Sequence, residues 1–465
     1  MSQSIIDVQP AAGVPDRQVN RGASLLTRME SVPISRWHIK ARVVMGSATF
    51  FDAFDALSLA YVLPVLIGMW HLKPGDIGLL IATGYVGQLI GALFFGWLAE
   101  RVGRVKSEFW TILLMSVMSL ACAVTGNFGA LMVCRFIQGI GVGGGNPVAA
   151  VYINELSQAH NRGRFFMLYE LIFPIGLLAA AQAGALLVPN VGWQSMFLVG
   201  GIPGLLIVGF IWFLPESPRW LIGKGRYDEA EKIIEGLEAS TDKRIVPKAR
   251  PPVAVVATPP RKAGMRELFS SFYRKRTLVV WALWGTAYFI ANGLNNWLPG
   301  LYKTVYHLPL TESLRLASMS NVLSVVFVLV CAFLVDRVGR RRWVMCAFAV
   351  AALLLGALYL TGAHSAYTVM VLGSTAYAVV GTVTIMLFLY TPEIYPTRMR
   401  AIGTSLATSW FRIASAASPA MVGVVLGANG VATVFLMFAG VCLLGIVAGL
   451  GMTETRQKSL EEIAP

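Results

Sequence analysis

Five ionisable side chains stand in stretches of chain that are otherwise apolar: Asp52, Asp55, Arg135, Glu170 and Arg412. A charge at the centre of a bilayer costs about 3 kcal/mol or more, so each of these is a functional candidate by default. Asp52 and Asp55 are three residues apart, which places both carboxylates on one face of a helix. Burial and mutual repulsion favour their protonated forms, and such a pair is suited to carrying a proton. Arg135 does not lose its proton in practice, so it must face a carboxylate or a water-filled cavity, with Asp52 or Asp55 as the expected partner. Glu170 is a weaker candidate of the same kind, close enough to the end of its helix to stay hydrated. Arg412 stands in the run Ser409-Trp-Phe-Arg412-Ile-Ala-Ser415-Ala-Ala-Ser-Pro419, and its planar guanidinium can grip a carboxylate through two parallel hydrogen bonds.

This is the chemistry of binding protons and anions, not of making covalent bonds. No nucleophile-base set, metal-ligand spacing or phosphate-binding loop is present, so no enzyme, metal or cofactor is expected. The five cysteines show no C-x-x-C spacing, which argues against a disulfide framework or a zinc site. All five histidines fall at helix ends or in loops.

The elements that must position these groups follow from composition. The chain has 465 residues, 56% hydrophobic and 13% charged, against roughly a quarter charged in soluble domains. Disorder is excluded by the same figures, and the chain belongs in lipid. A bilayer core of about 30 Å asks for about 20 apolar residues per helix. That template places six spans near 42–68, 77–98, 107–126, 128–153, 163–189 and 193–214, and six more near 277–302, 313–335, 342–362, 366–391, 401–426 and 430–452. The expected organisation is a tail over 1–41, a six-helix bundle over 42–214, a linker over 215–276, a second bundle over 277–452 and a tail over 453–465. The fold class is all-α membrane protein with twelve transmembrane helices in two pseudo-symmetric bundles.

A net charge of +14 could suit a nucleic-acid binder, but the basic residues lie in short clusters between apolar runs rather than along one exposed stripe. They sort to one set of loops: Arg101, Arg104 and Lys106; Arg162 and Arg164; Arg337, Arg340, Arg341 and Arg342; Arg398 and Arg400. That side is expected to be cytoplasmic, with both termini on it. The N-terminal tail has no apolar core of its own and no signal-peptide pattern. Within the linker, Ser217 to Leu237 has the pattern of an amphipathic helix, and Lys248 to Lys262 reads as an irregular proline-rich stretch.

An acid-Arg-x-Gly-Arg loop occurs twice at equivalent places, as Glu100-Arg101-Val-Gly103-Arg104 and Asp336-Arg337-Val-Gly339-Arg340. Such repetition marks a transporter built from two related bundles. The candidate gating residues are Glu100, Arg101, Arg104, Asp336, Arg337 and Arg340, which can pair between helices and cap helix ends.

With these loops, the run Arg135-Phe-Ile-Gln-Gly139-Ile-Gly141-Val-Gly143, the run Pro215-Glu216-Ser217-Pro218-Arg219-Trp220 and the run Pro392-Glu393-Ile-Tyr-Pro396-Thr-Arg398, the chain resembles the major facilitator superfamily over nearly its whole length. The last two runs are sugar-porter-like and recur in organic-ion and synaptic-vesicle-protein-like transporters. The stretch from Phe51 to Pro64, with its D-x-x-D, is similar to the first helix of bacterial niacin transporters and aromatic-acid/proton symporters.

The resemblance implies proton coupling at Arg135, and an anionic substrate at Arg412, since organic-anion transporters carry a similar Arg-x-x-Ser-x-x-x-Pro run. It also implies that Phe173, Thr384 and Phe388 line the cavity, beside the seventh-span set Trp284, Tyr288, Asn292 and Asn296, which recurs every four residues. The function expected is symport of a proton with a small aromatic monocarboxylate by alternating access, nicotinate first and benzoate-type acids next. Sugar uptake is the rival that the sugar-porter motifs suggest, and a non-transporting sensor is the rival of another class. The partners expected are an organic anion, protons and the lipid of a bacterial-type inner membrane, with the protein a monomer and no nucleic acid involved.

Overall fold

The computed structural model describes residues 16–32, 35–156, 171–240 and 265–455, and every regular element among them is a helix. The first six spans are Arg36–Trp70, Pro74–Val102, Arg104–Ala123, Phe128–Leu156, Ile172–Asn190 and Gln194–Trp212. Four more follow as Arg274–Thr304, Leu310–Val338, Arg340–Leu360 and Ala366–Glu393. The last helix, Thr397–Leu450, has 54 residues; at 1.5 Å per residue it would be about 80 Å long, far more than one bilayer. Gly430, at φ 78° and ψ 177°, breaks it into two spans, and the total is twelve.

Local chemistry explains where the helices turn. Gly103 (φ 112°) and Gly339 (φ 96°) each separate two consecutive spans by a single non-helical residue. Only glycine takes that backbone conformation without strain, so the repeated acid-Arg-x-Gly-Arg loop is first of all a tight corner. The second span opens on Pro74 with the Asp76 carboxylate accepting the Lys73 amide at 3.0 Å.

Within the N-terminal half the second, third and fourth spans lie backbone against backbone. A Cβ on Gly139 would overlap the Gly84 carbonyl, and one on Gly143 the Gln88 carbonyl. The two halves meet where the second span packs on the eleventh, the fifth on the eighth and the first on the seventh. At the end away from the basic loops this contact is close. Gly423 abuts Pro74, and a Cβ on Gly78 would stand 2.7 Å from the Pro419 carbonyl.

Two extramembrane features differ from expectation. The N-terminal tail carries a helix, Asp16–Ser31, whose Leu25 and Met29 pack with Trp220, Ala230, Ile234 and Leu237 in a small core of their own. Arg21 pairs with Asp228 and Glu231, both at 2.7 Å, and Arg28 with Glu238 at 2.8 Å. The apolar face of this helix finds cover on the linker rather than within the tail. The linker's amphipathic stretch is two helices, Pro218–Gly223 and Tyr227–Ala239, parted by a turn at Gly225 (φ 74°). Lys248 to Lys262 lies outside the described residues.

Candidate functional site

Asp52 and Asp55 sit more than four turns into the first span, each at most 1% exposed, yet their carboxylates have different surroundings. Asp55 is held by three donors. Arg135 Nη1 lies 3.3 Å from Oδ2, while Gln138 Nε2 and Ser119 Oγ donate to Oδ1 at 2.6 and 3.2 Å. Gln138 Oε1 in turn accepts from Arg135 at 2.8 Å. Asp52 has neither oxygen hydrogen-bonded and lies against the backbone of Gly145 in the fourth span. Of the two carboxylates expected to serve Arg135, Asp55 is the one that meets it.

Arg412 is 6% exposed and lies at the join of the two halves. Its Nη2 donates to the Gly143 carbonyl of the fourth span at 3.2 Å, its Nη1 to its own helix at Thr408 (3.4 Å), and its Nε has no partner. Among the described residues no carboxylate stands within ion-pair distance of it. Aromatic rings surround the same place. The Arg412 guanidinium lies 4.5 Å from the Phe411 ring centre, Phe411 packs on Tyr288 at 4.7 Å, and Tyr288 stacks on Trp284 with only 7° between planes. Phe388 closes the group edge-on to Trp284 at 4.7 Å.

Asn292 and Asn296 form a polar bridge between the halves. Tyr85 of the second span donates to Asn292 Oδ1 at 3.2 Å and accepts from Asn296 Nδ2 at 3.1 Å, and Asn292 also donates to Ser415 at 2.6 Å. A cavity of about 10 Å³ remains between Tyr85, Gln88, Arg135 and Asn296. That is room for about one water, far below the roughly 300–1,000 Å³ of a small-molecule site, so these side chains close on one another here. Arg412, Tyr288, Phe388, Asn292 and Asn296 are thus brought together on three helices of the C-terminal half. Thr384 is buried one turn above Phe388 with its hydroxyl bonded to the Gly381 carbonyl, and Phe173 is half-buried near the start of the fifth span. Glu170 lies outside the described residues.

The gating loops are held within each half. Arg104 binds Glu100 and Glu155, both at 2.8 Å, joining the second, third and fourth spans. Glu216 accepts the backbone amides of Arg104 (2.8 Å) and Ser217 (2.9 Å). Glu454 repeats this in the other half by accepting the amides of Arg340 (3.0 Å) and Arg341 (3.1 Å), with Arg340 3.8 Å from Glu393. Each carboxylate covers the bare amides at a helix start, where negative charge is favoured. Arg101 lies over Trp97 at 4.3 Å, Arg337 is exposed, and the side chain of Asp336 lies outside the described ones. Among the described residues, the ion pairs of these loops tie helices of one half together and do not cross to the other.

Sequence reasoning did not single out Gln138, Ser119, Tyr85, Glu454 or Glu108. Gln138 was visible in the motif as the residue one turn after Arg135. Glu108 is wholly buried in the third span, and neither of its carboxylate oxygens has a partner.

A twelve-span chain with a charged centre and two matched corner loops has recognisable relatives. The model of the family described as "Sugar (and other) transporter" matches residues 68–465. The chain belongs to this transporter family. The niacin transporter NiaP of Acinetobacter baylyi is 33% identical over 94% of this chain and 99% of that protein. The plastidic glucose transporter 4 of Arabidopsis thaliana is 30% identical over 88% of this chain and 78% of its own length. A gallate transporter of Pseudomonas putida is 29% identical over 81% of this chain and 83% of that protein. Among solved structures, the partially occluded inward-open form of the xylose transporter XylE from Escherichia coli superposes with a TM-score of 0.70 at 19% identity, covering 91% of this chain and 100% of that one. The fold is therefore that of the major facilitator superfamily, and the protein is a multi-pass membrane transporter, not an enzyme.

Proposed function

We propose that this transporter imports a small aromatic monocarboxylate together with a proton by alternating access, with nicotinate the preferred substrate and benzoate-type acids next. The observation that carries the reading is Arg412: a buried guanidinium at the join of the halves, among stacked aromatic rings, with no carboxylate facing it. A buried cation asks for an anion, and a planar acid satisfies both the charge and the ring faces around it. Its two long hydrogen bonds to backbone carbonyls are ones a carboxylate can displace. The niacin and gallate transporters among the relatives carry, by their names, aromatic carboxylates, which supports this class over sugars. A sugar would leave Arg412 without a counter-charge.

Coupling follows from the first span. Asp55 in its ionised form holds Arg135 and Gln138, and protonation removes the charge that holds them. In this reading substrate at Arg412 and a proton at Asp55 together neutralise the centre, which can then close at one face and open at the other. The basic loops face the cytoplasm, with both termini there, in the inner membrane.

The test is uptake of labelled nicotinate by the purified protein in liposomes, with benzoate, nicotinamide and glucose as competitors and a pH electrode in the outer medium. Alkalinisation on adding nicotinate, and competition by benzoate but not by glucose or nicotinamide, is the expected result. Uptake without proton movement, or competition by glucose alone, would refute it.

A further inference from the structure

Glu108 has no part in the chemistry described so far. It sits one turn inside the third span, on the face that also carries Val105, Ile112 and Met115 into an apolar cluster with Ala48, Ala149 and Tyr152. Its side chain is wholly buried and both carboxylate oxygens lack a partner; the neighbouring Thr111 hydroxyl is turned to the Glu108 carbonyl at 2.7 Å. The groups that face it give no counter-charge. Arg104, one turn below, is spent on Glu100, Glu155 and the Ala99 carbonyl. On the fourth span, Tyr152 donates to the Pro215 carbonyl and Glu155 is bound by Arg104. The sixth span, Gln194–Trp212, has no titratable residue. On the first span Ala48 shares this cluster, and Asp52, one turn beyond it, is another buried acid with no partner.

A buried carboxyl group that faces no cation and no hydrogen-bond donor is favoured as the neutral acid, holding a proton, and Glu108 and Asp52 are each so placed. As packing this is wasteful, since an apolar side chain of similar size would fill the space without a polar group to satisfy. As proton chemistry the arrangement has an order. Ser119, which marks the level of Asp55, is eleven residues beyond Glu108 on the third span, a rise of about 16 Å. Glu108 therefore lies well toward the Arg104 end, and Asp52 stands one turn of the first span nearer that end than Asp55.

We propose that Glu108 is a second proton-binding site, forming with Asp52 a carboxylate relay between the Asp55–Arg135 pair and the solvent at the basic face. When that face opens and water enters, the Glu108 O–H bond breaks, its proton passes to water, and a carboxylate remains. Asp52 then gives its proton through water to that carboxylate, restoring Glu108 and leaving Asp52 ionised. The net change is one proton moved from Asp52 to the solvent, with no other bond altered. The relay part rests on the proton-coupled reading above, whereas the proton site itself does not.

Infrared titration of the purified protein, without substrate, compares the wild type with Glu108→Gln and Asp52→Asn. The wild type is expected to show protonated-carboxyl bands at neutral pH, with one component lost in each variant; identical spectra for wild type and Glu108→Gln would overturn the site. Both variants are near-isosteric, and size-exclusion profiles check that they fold. In liposomes, Glu108→Gln is expected to keep nicotinate exchange at equal pH on both sides while losing the pH dependence of uphill uptake. An unchanged pH profile would overturn the relay. A wild-type protein that shows the Glu108 band yet moves no proton with nicotinate would refute the coupling and the relay while leaving the proton site standing.

Discussion

Replacing Arg412 by alanine isolates the interaction on which anion selectivity depends. The guanidinium makes two hydrogen bonds, at 3.4 Å to Thr408 and 3.2 Å to Gly143, together worth roughly 1–2 kcal/mol. A bound carboxylate would replace them with two parallel charge-assisted bonds in a buried setting, where truncating one partner costs about 2–5 kcal/mol. The difference is about 2 kcal/mol, which at 1.4 kcal/mol per decade is roughly thirtyfold weaker binding of nicotinate. Nicotinamide has the same ring without the charge, so its weak binding should change little. Arg412→Lys keeps a charge but not the planar fork, and should recover only part of the loss, about one decade. Affinities come from isothermal titration or ligand-induced thermal shift of the purified protein, since a ligand raises stability in proportion to its binding of the folded state. If nicotinate and nicotinamide lose affinity equally in Arg412→Ala, or nicotinate loses none, the guanidinium does not read the carboxylate and the reasoning fails.

Other perturbations address separate parts of the machine. Asp55→Asn should preserve nicotinate exchange and abolish accumulation against a gradient, and accumulation that persists in liposomes would show that the proton travels elsewhere. Gly143→Ala drives a methyl group into the Gln88 carbonyl and should destabilise the fold by about 1–3 kcal/mol, read as a lower midpoint in thermal unfolding. Glu216 is half-buried outside the spans, and loss of solvent holds its carboxyl above the ordinary glutamate range in spite of the amides of Ser217, Val105 and Arg104 that it accepts. The folded chain then binds this proton more tightly than the unfolded chain. Its contribution to stability is therefore fullest below the ordinary glutamate value and falls as pH rises through the raised one. Glu216→Gln should flatten that part of the stability-pH curve, and an unchanged slope would show that another group sets it. Leu25→Asp places a charge in the small core beneath the N-terminal helix and should release that helix to proteolysis without unfolding the spans.

The corner loops show how far the one-dimensional pattern reaches. A glycine between an arginine and another arginine, repeated at equivalent places, already specified a tight cationic turn twice over. That the turns are covered by Glu216 and Glu454, and that Arg104 is shared by Glu100 and Glu155, depends on chain segments 50 to more than 110 residues away. Glu108 is the plainest case of information hidden by a boundary. An apolar template begins the third span near 107, which leaves this acid at the rim. The Gly103 corner begins the helix at Arg104 and carries Glu108 a full turn inside, against the first and fourth spans.

Composition and run length alone determined a membrane protein of twelve helices, its two halves, and the few buried charges worth attention, because hydrophobic length and the cost of a charge in lipid are properties of short segments. Spacing alone also put Asp52 and Asp55 on one helical face. Only the tertiary structure decided that Asp55 answers Arg135 while Asp52 and Glu108 stand without a partner, and that Arg412 meets rings and backbone instead of an acid. Those outcomes hinge on how helices far apart in the chain rotate against each other. A rotation of one residue's arc exchanges a salt bridge for an unpaired charge while leaving every local pattern in the sequence unchanged.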